Sequence, residues 1–263
     1  MSEVPGFSKT SFSHDGCTRD VYRAGTGPAV IVMTEVPGIT PEVARFARWV
    51  AEAGFSVYMP QFLGTPMKPL TPAYAARSIA RICISREFRV LAANDSSPLV
   101  DWMRALARQA HLECGGPGVG AVGMCLTGNF ALAMMLDAPV LAPVLSQPSL
   151  PAGLTRSLRA ALHASPAAIA AAHDKIERQG ARILGLRFHQ DPMCPPERFR
   201  RLREEFGDAF EVDARHANPK ALKPAHSVLT THLIDEAGQP TRAALDRTLE
   251  FLRVQLKPAS APA

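Results

Sequence analysis

Six short apolar runs punctuate this chain: Ala29–Glu35, Phe55–Gln61, Val119–Met124, Val140–Ser146, Ala181–His189 and Ala209–Arg215. A run of that length with no polar alternation has to be covered on both faces, which is the habit of parallel strands joined by crossover helices. The intervening segments agree. Pro41 opens a helix with Thr40 as its N-cap, Val43, Phe46, Ala47, Val50 and Ala51 on one face and Gly54 at its end. Helical spacing also runs through Tyr74–Val90, Leu99–Ala110, Asn129–Leu136, Ala167–Gln179 closed by Gly180, Pro195–Phe206 and Thr241–Leu256. Ahead of all these, Phe7–Ser13 and Cys17–Tyr22 flank His14-Asp15-Gly16, a hairpin signal. The expectation is one α/β domain over 1–263: an eight-stranded, mostly parallel sheet flanked by helices on both faces, with PASAPA, near 258–263, as a disordered tail.

Charge and composition narrow the partners. The net charge is +5, but the basic residues are scattered, and in the densest run, Glu197–Glu205 (ERFRRLREE), arginines alternate with glutamates as on a solvated helix face. That pattern suits a small anionic ligand better than nucleic acid. No apolar run reaches about 18 residues, the length that crosses a bilayer, and the N-terminus lacks the apolar core of a signal peptide. Five widely spaced cysteines with no C-x-x-C between them point to free thiols and a cytoplasmic setting. The chain is expected to act as a monomer or homodimer, with no nucleic-acid or membrane partner.

The stretch Val119–Gly128, VGAVGMCLTG, reads as a buried strand that turns sharply at Cys125 into a helix. A residue on such an elbow is pushed out over the sheet edge beside the first helical N–H groups. Gly123 relieves crowding at the turn. Cys125 is therefore either a nucleophile or a small core residue. In open parallel sheets ligands bind beyond the carboxyl ends of the strands. The chemistry-bearing residues at those ends are Glu35, Cys125, Asp191 and His226, with His216 and His232 as competitors for the histidine and a turn cap as the plainer role for Asp191. Their order of nucleophile, acid and histidine is the one α/β-hydrolases use.

Four pieces, MTEVPGI (Met33–Ile39), VGMCLTG (Val122–Gly128), HQDPMCPPERF (His189–Phe199) and AHSV (Ala225–Val228), resemble the dienelactone hydrolase family, and their spacing covers nearly the whole chain. The resemblance implies an α/β-hydrolase fold and a Cys-His-Asp triad. Cys125 would be the nucleophile, His226 the base, Asp191 its orienting acid, and Glu35 the carboxylate that sits against the resting thiol. Two positions depart from the family pattern. Thr127 stands where the elbow has a glycine, and Thr230 stands where an arginine grips the carboxylate of dienelactone. Arg77, Arg81 and Arg86 are candidates to supply that grip, with Arg81 and His189 as the substrate-binding residues singled out.

These residue types suit acyl transfer from an ester or lactone. A thiol with pKa about 8.5 needs a partner that accepts its proton, and an imidazole titrating near neutrality can take and return one within a cycle. A carboxylate beside a thiolate raises the thiol's pKa, and the resemblance implies that Glu35 keeps Cys125 protonated until substrate arrives. Backbone amides of Val36 and Leu126 would hold the oxyanion. No cofactor and no metal is expected, a metal held by His189, Asp191 and His226 being the weaker alternative. Two other readings remain: an α/β-hydrolase-fold protein that binds a small acid or a protein partner without turnover, and a redox-sensing thiol shielded by Glu35.

Overall fold

In the computed structural model, residues 3–84, 97–149, 159–217 and 224–257 are described. The helical segment expected to run on to Val90, together with Arg86 and the tail near 258–263, extends beyond these residues.

The N-terminal hairpin pairs β1 (Ser8–His14) with β2 (Cys17–Ala24), in a register running from Ser8 opposite Arg23 to His14 opposite Cys17. Asp15 and Gly16 both adopt positive φ, 48° and 71°, as a two-residue hairpin turn requires. β2 then pairs antiparallel with β4 (Ser56–Pro60). The other pairs are parallel: β4 with β3 (Ala29–Met33), β3 with β5 (Val119–Met124), β5 with β6 (Val140–Ser146), β6 with β7 (Ile183–Phe188), and β7 with β8 (Phe210–Arg215). The eight strands lie in the order β1-β2-β4-β3-β5-β6-β7-β8.

Every residue of β3, β5, β6 and β7 is buried, which is why these strands read as unbroken apolar runs. The covering helices are α1 (Pro41–Glu52), α2 (Pro72–Ile84), α3 (Pro98–Cys114), α4 (Gly128–Ala133), α5 (Pro166–Gln179), α6 (Pro196–Phe206) and α7 (Pro240–Leu256). α1 starts where the sequence places it: Thr40 accepts from the Val43 amide at 3.3 Å, and the inward face is Val43, Ala44, Phe46, Ala47 and Val50. A cap of this kind contributes about 1 kcal/mol. Ser97 and Ser165 cap α3 and α5 in the same way, and α5 closes on the left-handed Gly180.

Two details differ from the sequence expectations. α4 is a single short helix ending at Ala133, preceded by a 3-10 turn over Cys125–Thr127, instead of a helix running to Leu136. α6 is not a fully solvated face, because Arg198 is only 3% exposed and lies four and eight residues ahead of the buried Leu202 and Phe206. Among the described residues no helix is long and apolar enough to cross a membrane.

Candidate active site

All the strand-end candidates follow parallel strands. Glu35 comes after β3, Cys125 after β5, Asp191 after β7, and His226 lies on the segment after β8. They are therefore carried to one edge of the sheet, in the crevice such folds use for ligands.

The elbow is built by small residues and one threonine. Cys125 adopts φ 56°, a left-handed backbone that a non-glycine residue takes only when its surroundings enforce it. Gly123 makes the turn possible, since a Cβ there would fall 2.1 Å from the Thr127 carbonyl oxygen. Thr127 is fully buried and acts as a staple. Its Oγ1 accepts from the Met124 amide at 2.9 Å and lies 3.0 Å from the carbonyl oxygens of Met33 and Met124, tying the elbow to the end of β3.

The half-buried Cys125 sulfur lies 3.1 Å from the Ser149 hydroxyl. Ser149 is itself held by the elbow: its amide donates to the Cys125 carbonyl at 3.1 Å, and its carbonyl accepts from Asn129 Nδ2 at 3.0 Å. Behind them Arg198 donates from Nη1 to Asn129 Oδ1 at 3.0 Å and to the Pro148 carbonyl at 2.9 Å, while its Nη2 lies 2.9 Å from His163 Nε2. Burial lowers the Arg198 pKa to about 10.

The histidine and the acid meet directly. His226 Nδ1 lies 2.7 Å from Asp191 Oδ2, and the Asp191 side chain is completely inaccessible. The other Asp191 oxygen accepts from the Met193 amide at 2.9 Å. That partner assigns the proton to Nδ1 and leaves Nε2 for chemistry. Nε2 is buried and makes no hydrogen bond of acceptable geometry in the structure. Burial of the ring opposes its charge, but the Cys125 sulfur and the Asp191 carboxylate outweigh that and push the His226 pKa up to about 10. His216 and His232 make other contacts. His216 is exposed and stacks on His189, whereas His232 Nδ1 accepts from the Ser227 amide at 3.1 Å.

Glu35 is 4% exposed and its carboxylate is occupied. Oε2 accepts from Ser227 Oγ at 2.7 Å and from Gln147 Nε2 at 3.2 Å, and Oε1 accepts from Thr230 Oγ1. Burial raises its pKa, against the opposing effect of those donors and of His226. The contact with the resting thiol expected from the resemblance is thus replaced by bonds to the histidine's own loop. Ser227 is the residue after His226, and Thr230, at the arginine position, is one of the three donors.

Val36 lies in the turn closed by the Gly38 amide on the Glu35 carbonyl at 2.7 Å, and Leu126 is the second residue of the turn after β5. His189 lies on the same strand-end segment, next to His216. β7 ends at Phe188, so strand alternation no longer sets the direction of residue 189, whose ring is exposed with centroids 4.5 Å from that of His216. The side chains of Arg81 and Cys83 lie outside the described residues; Arg77 is exposed. Among the described residues no group of three or more His, Cys, Asp or Glu side chains is arranged to hold a metal ion.

Sequence reasoning missed Gln147, Ser149, Asn129, His163 and Arg198. Four of them carry no periodic signal, but Arg198 does, at helical spacing from Leu202 and Phe206.

An eight-stranded sheet of this order, with a strained elbow and a buried Asp–His pair beyond its strand ends, defines an α/β-hydrolase fold. The chain belongs to the dienelactone hydrolase family, whose model matches residues 20–252. That membership supports hydrolase function. No curated protein matches the chain in sequence. Among solved structures, a provisionally assigned dienelactone hydrolase from Klebsiella pneumoniae subsp. pneumoniae matches with TM-score 0.62 at 18% identity, over 93% of this chain and 97% of that one. A thermophilic esterase from Thermogutta terrifontis matches with TM-score 0.59 at 17% identity, over 98% of each chain. A dienelactone hydrolase-like promiscuous phosphotriesterase from metagenomic libraries matches with TM-score 0.58 at 18% identity, over 95% of this chain and 98% of that one. Likeness at these identities carries the fold alone.

Proposed function

We propose that this protein hydrolyses a carboxylic ester or lactone with Cys125, His226 and Asp191 through a thioester acyl-enzyme. The observation that carries this reading is the buried Asp191–His226 pair, 2.7 Å apart, whose imidazole also feels the sulfur of Cys125, a residue held at φ 56° on the elbow.

With the His226 pKa raised to about 10, the proton shared with Cys125 rests on the imidazole, and the thiolate adds to the substrate carbonyl. The amides of Val36 and Leu126 receive the developing oxyanion. Loss of one such donor costs about 3 kcal/mol of transition-state stabilisation. The imidazolium then protonates the departing alkoxide as the C–O bond breaks. In the second half His226 takes a proton from water, whose oxygen adds to the thioester, and the returning proton releases Cys125 as the thiol. Asp191 stabilises the imidazolium in both halves.

The substrate is a small ester or lactone, with Arg81 the candidate to hold a carboxylate on it. Thr230 is engaged with Glu35 and does not supply the charge of the family's arginine, which argues against dienelactone itself. A cytoplasmic protein, monomeric or homodimeric, without cofactor, fits this reading.

The test is a panel of p-nitrophenyl esters and lactones assayed with wild type and Cys125→Ala. Turnover by wild type, with kcat/KM reduced by about a thousandfold or more in the variant, is the expected result. Equal rates overturn the reading, and tight binding of a small acid without turnover in either protein would favour a binding role.

A further inference from the structure

We propose that Ser149 is the positioning residue of the resting Cys125 sulfur, and that Glu35 acts on the histidine loop instead of on the thiol. The proposal rests on the reading of Cys125 as nucleophile only in what it implies for turnover.

The geometry of residue 149 carries it. A serine hydroxyl near a sulfur could rotate away, but here the backbone on both sides is fixed by the elbow: the amide is bound to the Cys125 carbonyl and the carbonyl to Asn129, which also bonds the Leu126 carbonyl at 2.9 Å. Ser149 is 3% exposed, so water does not compete for its hydroxyl, which stands 3.1 Å from Sγ. Either atom can donate in this contact, and a bond from the hydroxyl to sulfur favours the thiolate over the thiol. Glu35, by contrast, has Thr230, Ser227 and Gln147 on its oxygens, and Gln147 in turn accepts from the Val228 amide at 3.3 Å. Its contacts fall on Ser227, next to His226, and on Thr230 three residues further on, so the carboxylate anchors the segment that carries the imidazole. The ionisable groups bearing on the sulfur are His226 from the segment after β8 and the buried Cys194 from the loop after β7, with Asp191 acting through His226 and Arg198 one residue behind Asn129.

The consequence is a thiol whose reactivity is adjusted by a neutral hydroxyl, beside the imidazole's charge, and is present before substrate arrives. Alkylation by iodoacetamide, followed by mass spectrometry of the Cys125 peptide across pH, reads this without any turnover. Ser149→Ala is expected to move the midpoint of the pH–rate profile upward by about one pH unit, and Ser149→Thr to restore part of it. Asn129→Ser, which frees the Ser149 carbonyl, is expected to move it in the same direction by less, and serves if the alanine variant does not fold. Glu35→Gln is expected to move the midpoint less than Ser149→Ala does and to lower the thermal midpoint. A folded Ser149→Ala whose midpoint coincides with wild type overturns the proposal, as does a larger displacement from Glu35→Gln. Absence of ester turnover with a Ser149-dependent profile would sink the hydrolase reading and leave this inference standing; turnover with a Ser149-independent profile would do the reverse.

Discussion

Two buried charges flank the crevice, and they are handled in opposite ways. On the histidine side the Glu35 carboxylate gathers three donors from two segments, one on the loop after β6 and two beyond β8. On the elbow side the Arg198 guanidinium reaches out from α6 to acceptors on α4 and the loop after β6, and to His163. Burial pushes each toward its neutral form, raising Glu35 and lowering Arg198 to about 10. A carboxyl can yield to that pressure and remain a useful partner once protonated. A guanidinium keeps its charge at any pH the protein meets. The comparison therefore assigns tunable fastening to the histidine loop and permanent fastening to the nucleophile.

Arg198→Met is the hardest blow to this scheme. It strands the Asn129 and Pro148 oxygens in a dry interior, and unfolding in urea is expected to show a loss of about 3 kcal/mol with little dependence on pH. Asp191→Asn comes next, at about 2 kcal/mol near pH 6. Its pH dependence has a definite sign. The folded His226 pKa stands above its ordinary value of 6.5, so its stabilisation is complete below that value and disappears as pH rises toward about 10. Urea curves at pH 6, 8 and 10 should show wild type and variant converging. Glu35→Gln is smaller, about 1 kcal/mol at neutral pH. Because the folded Glu35 pKa is also raised, its contribution is complete below the ordinary carboxylate value and declines as pH rises through the raised one. The difference between wild type and Glu35→Gln should accordingly narrow from pH 4 upward; a flat difference would erase the contrast with Arg198. Thr127→Ala, which removes the staple between the elbow and β3, is expected to cost about 1 kcal/mol or less in the same measurement, because Thr127 touches neither charge.

Much of this arrangement is legible in the sequence. The strands lie within a residue or two of their apolar runs, because full burial on both faces leaves a pattern that only a parallel sheet satisfies. The candidates at strand ends could be found because topology brings those ends together. What sequence could not supply was pairing among polar groups of unrelated segments. Gln147 and Ser149 sit just past β6 in a stretch whose composition says only loop, and a hydroxyl standing beside sulfur leaves no trace in composition. Arg198 was hidden by its neighbours, since alternating arginines and glutamates around it resemble a solvated face although its own position falls on the apolar stripe. The direction of His189 is likewise beyond what alternation can say, because alternation holds only while a strand lasts and β7 stops one residue short.

The sheet order has one more corollary. β8 is a border strand, bonded on one side only, and such strands open more readily than the interior. The segment bearing His226 follows it in sequence, yet hangs from the middle of the sheet through Ser227, Val228 and Thr230. Breathing at that border can thus proceed without carrying off the imidazole, and the working parts stay in register while the rim frays.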